Sequence, residues 1–165
     1  MLVIHWTKHN KIKDIISKGL RQSTRTKISR WVDQSGELKE DKNKIKGLWC
    51  YPYTRNKTLN NQWKRNLKTW ERQNTNFNGI VFRLTKNDFP LYAGPFIATG
   101  RGEQALMKSM DDLKKIMTKF PTKTTQDQHD NEIDTDEFEI ILLNKVTSDR
   151  IIKIIKDREK KKNYR

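Results

Sequence analysis

The sequence predicts a single α+β domain, and three features of its 165 residues predict it. Short apolar runs of strand length occur at 2–7, 47–53, 80–84 and 137–143. Between them, apolar residues recur at helical spacing: Ile12, Ile15 and Ile16; Leu59, Trp63, Leu67 and Trp70; Leu106, Met110, Leu113 and Met117. Hydrophobic residues make up only 33% of the chain, but five Trp, six Phe and four Tyr supply bulky core material. The expected domain covers 1–156, with a basic tail over 157–165.

Taken in order, Leu2–Thr7 is a strand on which His5 and Thr7 share a face by the two-residue period. Asn10 is the expected N-cap of a short helix, and Gly19 its C′ residue. From Arg21 to Lys46 apolar residues thin out. The expectation there is one short helix around Trp31-Val32 and a loop over 33–46. Gly47–Tyr53 is a second strand with Trp49, Tyr51 and Tyr53 on one face, ending or lying at an edge at Pro52. Thr58 caps a helix reaching Arg72. Asn78-Gly79 reads as a turn, Ile80–Leu84 as a strand and Leu91–Ala93 as a short strand after the break at Asp88-Phe89-Pro90. Gly100 and Gly102 lead into a helix expected over Glu103–Lys119, stopped by Phe120-Pro121. A last helix is expected after Ser148, with Ile151, Ile152 and Ile155 turned inward.

The stretch with most chemical content runs from Thr124 to Asn144. It holds seven Asp and Glu and no Lys or Arg, in a chain that is otherwise strongly basic. Glu137 and Glu139 stand at the mouth of the late apolar run with one residue between them. On an extended chain both would face the same way, with Phe138 turned into the core. Two neighbouring acids resist simultaneous ionisation, an arrangement suited to acid/base or cation-stabilising chemistry. Acids at a strand end can also serve only to solvate it.

The net charge of +15 and pI near 9.9 imply attraction to phosphate-rich or acidic partners, nucleic acid foremost, although a Lys- and Asn-rich vocabulary can also reflect codon bias. Cys50 is the single cysteine, which excludes an intramolecular disulfide and suggests a reducing, cytoplasmic setting. No apolar window is long enough for a membrane span, so no membrane partner is expected. No Cys/His cluster has zinc spacing, no Walker loop is present, and the acidic stretch lacks the glycine and ligand spacing of a calcium loop, so no metal is expected.

The order of these elements resembles the ADP-ribosyltransferase fold in its small phage and bacterial members. The likeness is carried by His5-Trp6-Thr7, by Ile15–Leu20, by Gly47–Tyr51, and by Glu137–Leu142 followed by Ile151. It implies a split, two-sheet β core with NAD held in the cleft as a substrate. It further implies that His5, helped by Thr7, bonds a ribose hydroxyl, that Tyr51 or Tyr53 stacks on the nicotinamide ring, and that Glu139 stabilises the oxocarbenium-like state while Glu137 engages the acceptor. Trp6 stands where the family has Gly, and no Ser-Thr-Ser strand motif follows, which leaves the choice between Tyr51 and Tyr53 open. The implied activity is transfer of ADP-ribose to a protein or nucleic acid, in a setting such as phage–host conflict. Competing expectations are an RNA 2′-phosphotransferase activity using Arg21 or Arg25, a non-catalytic basic nucleic-acid-binding protein, and a metal-dependent nuclease. The last lacks an acid-x-Lys after the strand acids.

Overall fold

A computed structural model of the chain describes residues 1–23, 27–53, 77–95, 104–119, 125–126, 132–133 and 138–156. Within these, the architecture is α+β: one large open sheet and two short helices. The strands are β1 (Leu2–Lys8), β2 (Lys27–Val32), β3 (Leu38–Lys46), β4 (Leu48–Pro52), β5 (Phe77–Arg83), β6 (Leu91–Pro95), β7 (Gln104–Met107), β10 (Phe138–Leu142) and β11 (Ile151–Lys156). They lie in the order β11-β5-β1-β4-β10-β6-β7-β2-β3. All neighbours are antiparallel except the parallel pair β2 and β7. A separate two-residue ladder joins β8 (Thr125–Gln126) to β9 (Glu132–Ile133). The helices are α1 (Ile12–Lys18) and α2 (Met110–Lys119).

Period-two alternation decides which face each inner strand buries. Val3, Leu48, Cys50, Ile80, Phe82, Leu91, Ala93, Phe138, Ile140 and Leu142 form the main core. Ile15 of α1 and Leu113 of α2 close over that core. The opposite face carries Ile4, Trp6, Tyr51 and Val81 on one side, and Ile28, Tyr92 and Ile141 on the other. The central strands are therefore apolar on both faces, which is why they read as continuous runs. Phe138 is fully buried, as its position between two acids predicts.

Several expectations are corrected. Asn10 lies inside a short 3₁₀ turn, His9–Lys11, so it is not the cap of α1, whereas Gly19 does close that helix with φ 78° and an N–H bond to Ile15 O at 2.8 Å. Ile15 is buried but Ile16 is 54% exposed, because seven residues make too few turns to bury three isoleucines. The region 27–46, expected as a short helix and a loop, is the hairpin β2–β3. Its charged residues suit an edge strand, which is kept soluble by Lys and Glu. The turn is built by Asp33 Oδ1, which accepts from the Ser35 N–H, the Ser35 hydroxyl and the Glu37 N–H. Gly36 has φ 86°, a left-handed conformation that favours glycine.

Asn78-Gly79 is part of β5, not a turn. Glycine is needed there because Trp6 lies opposite, and a Cβ at Gly79 would stand 2.6 Å from Ile4 Cδ1 and 2.9 Å from Trp6 Cη2. The helix expected from Glu103 begins at Met110, since Gln104–Met107 is β7. Ser109 Oγ accepts from the Asp112 N–H at 3.2 Å, and Asp112 Oδ2 accepts from the Lys108 N–H at 3.1 Å, a local capping exchange. The helix expected after Ser148 is a single 3₁₀ turn, Ser148–Arg150, leading into β11. Isoleucine-rich, β-branched sequence favours the strand. Ile151 and Ile154 pack on the main core and Ile155 on the opposite face, while Ile152, at a register shift, is 51% exposed. The helix expected over 58–72 and the Gly100–Gly102 turn lie outside the described residues.

Candidate functional site

Two strands from opposite ends of the sequence flank β4. On one side, β1 pairs with it at Val3↔Pro52 and Ile4↔Tyr51. His5, the next β1 residue, meets β4 through its side chain: Nδ1 lies 2.7 Å from the Trp49 carbonyl oxygen. A carbonyl oxygen only accepts, so Nδ1 carries the proton and Nε2 of the neutral ring is left as an acceptor. Burial pushes the His5 pKa below its ordinary value of 6.5, and the bond to Trp49 opposes that shift without cancelling it. His5 is thus held neutral in a defined tautomer.

On the other side, β10 pairs with β4 at Leu142↔Leu48, Ile141↔Trp49 and Ile140↔Cys50. Glu139 follows directly and points to the same sheet face as Trp49. Its Oε2 accepts from Trp49 Nε1–H at 3.3 Å and from Gln104 Nε2–H at 3.3 Å, and the residue is 9% exposed. Trp49 therefore touches both halves of the predicted site, His5 through its carbonyl and Glu139 through its indole. Strand parity puts the Cβ of His5 on the main-core face with Val3, and the carboxylate of Glu139 on the other face.

The remaining predicted residues are distributed as follows. Thr7 is half-buried and pairs with Asn78 of β5, whose side-chain nitrogen lies 2.9 Å from His9 Nδ1. Tyr51 is packed with Ile4, Trp6 and Val81, which leaves little of its ring to stack on a ligand. Tyr53 is half-buried at the end of β4, with Lys153 Nζ 4.6 Å above its ring centre. Glu137 and Arg25 lie outside the described residues, and Arg21 is exposed just beyond α1.

Sequence reasoning missed two members of this constellation. Trp49 was visible only as one of three alternating aromatics. Gln104 carried no signal, because the residues around it read as the start of a helix. Among the described residues, no group of three or more His, Cys, Asp or Glu is placed to hold a metal ion. No described helix is long and apolar enough to cross a membrane. Compared with protein-family models, curated proteins and solved structures, the chain gives no match in any of the three.

Proposed function

We propose that this protein transfers ADP-ribose from NAD to a macromolecular acceptor and releases nicotinamide. The observation that carries the reading is the double engagement of Trp49, which brings His5, near the start of the chain, and Glu139, 134 positions later, onto one residue. A second feature favours it. Within the one sheet, β1 pairs with β4 at two positions, Val3↔Pro52 and Ile4↔Tyr51, but with β5 at seven. A split, two-sheet core would need β1 and β4 to part beyond Ile4 in order to admit a dinucleotide beside His5.

The chemistry follows from the side chains. Neutral His5, its Nδ1–H spent on Trp49, offers Nε2 to a ribose hydroxyl and orients the sugar. Breaking the bond between nicotinamide and ribose builds positive charge on the sugar ring. A fixed carboxylate at Glu139 lowers that barrier electrostatically, and more strongly in a buried site than in water. Glu137 is the residue proposed to engage the acceptor, and Tyr53, half-buried where Tyr51 is buried, is the tyrosine proposed to meet the nicotinamide ring. The charge of +15 favours an acceptor that is nucleic acid, or a protein bound to it.

The test is release of nicotinamide from NAD, with and without nucleic acid, by wild type and by Glu139→Gln. Release by wild type and its loss in the variant support the reading. Nucleic-acid binding by both with no NAD consumed replaces it with a binding protein.

A further inference from the structure

Glu139 is held from two directions, and the second is informative. β6 lies between β10 and β7, with Glu139↔Gly94 on one side and Ala93↔Ala105 on the other. Continuing the second register by one residue brings Gln104 beside Gly94. Glu139, Gly94 and Gln104 thus form one row across three strands, with side chains on one face. Neighbouring strands are about 4.8 Å apart, so Glu139 and Gln104 stand near 10 Å apart at the backbone. The Gln104 amide reaches across β6 to the Glu139 carboxylate at 3.3 Å. Gly94 has φ 156°, a backbone conformation that itself favours glycine. Gln104 is itself buried, at 8% exposure. Burying a primary amide is unfavourable unless it is bonded, and here it is bonded to the carboxylate on which the proposed reaction depends.

We propose that Gln104 is a positioning residue for Glu139. The inference rests on the ADP-ribosyl-transfer reading for its purpose, but the contact can be tested without it. A neutral N–H donor stabilises the ionised carboxylate, so its loss raises the carboxyl pKa. The donor also fixes the rotamer, so its loss lowers kcat more than it raises KM for NAD.

The experiment follows the Glu139 side-chain carboxyl by ¹³C NMR through an acid titration, assigned by the signal missing from Glu139→Gln. Wild type is compared with Gln104→Leu and Gln104→Asn, each checked for an unchanged fold by near-UV circular dichroism. An upward shift of the Glu139 midpoint in Gln104→Leu supports the proposal. An unchanged midpoint in folded Gln104→Leu overturns it, even in an enzyme that releases nicotinamide. If Gln104→Leu does not fold, Gln104→Asn gives the same reading by shortening the reach of the amide. A shifted midpoint in a protein that consumes no NAD supports the contact and defeats the ADP-ribosyl-transfer reading instead. Where NAD is consumed, a fall of about tenfold or more in kcat with KM nearly constant is the expected kinetic signature of Gln104→Leu.

Discussion

Among the described residues, Asp88 and Glu139 are buried carboxylates held in very different ways. Asp88, 2% exposed, is clamped by a guanidinium: Arg150 Nη1 lies 2.9 Å from Oδ1 and Nη2 2.6 Å from Oδ2. The same Asp88 Oδ2 accepts from the Thr85 N–H at 2.7 Å, and Arg150 Nη2 also donates to the Arg83 carbonyl at 2.8 Å. Arg150 lies 5.8 Å from the centre of the Phe82 ring. This corner fastens the start of β11 to the end of β5. Glu139, by contrast, accepts from the neutral N–H groups of an indole and a primary amide. A bidentate ion pair commits a carboxylate to structure, since its charge is neutralised in place. A neutral N–H donor orients a carboxylate through one directed bond rather than a two-pronged ionic clamp. The same residue class thus serves cohesion at one corner and, in the function proposed above, chemistry at the other.

That contrast is open to attack, and the largest effect belongs to the clamp. Asp88→Ala leaves a partly buried guanidinium without its partner and should cost about 3–5 kcal/mol in denaturant unfolding. A loss below about 1 kcal/mol would show that the pair is not structural. Glu139→Gln should reverse the pattern. The amide oxygen still accepts from Trp49 and Gln104, so stability should fall by only about 1 kcal/mol, while nicotinamide release drops on the order of 10²-fold or more. Equal stability losses at the two positions would erase the distinction drawn between them.

His5 sharpens the same comparison through pH. Its folded pKa lies below the unfolded 6.5, so the unfolded chain binds the proton more readily. The contribution to stability is fully present above pH 6.5 and is lost as pH falls through the interval down to the folded value. The slope there is at most about 1.4 kcal/mol per pH unit. Unfolding measured at pH 7.5 and at pH 5 should show it, and His5→Gln should flatten the difference. The smallest effect is expected at the β2–β3 turn. The Asp33 carboxyl is held down to about 2, chiefly by the Ser35 hydroxyl and then by the Glu37 N–H. Its contribution is present above the ordinary 3.8 and fades only as pH falls through 2. Asp33→Ala should leave global unfolding nearly unchanged and speed hydrogen exchange at the amides of Ser35 and Glu37.

What the sequence made legible follows how each residue is used. The strands β1, β4, β5, β6 and β10 are apolar enough to announce themselves, and Glu139 is conspicuous at the mouth of the last of these. The β2–β3 hairpin hides because an edge strand is written in charge, with Ile28, Trp31 and Ile45 too sparse to show a period. The isoleucines of β11 fit helical spacing as well as alternation, and only their β-branching argued for a strand. Gln104 was obscured twice: by the glycines before it, read as a helix start, and by the Ser109-x-x-Asp112 cap after it, which marks where the helix begins. Gly79 misled for a similar reason. It is glycine on account of Trp6 across the strand, a cause invisible to local sequence.

The seam at Trp49 also bears on how the chain is made. Trp49 and Glu139 are 90 residues apart, and the ladder between β4 and β10 cannot close until the second of them has been synthesised. During translation, β4 must wait with an apolar strand unshielded on that side. Until β10 arrives, the unpaired edge of β4 is open to pairing with other strands.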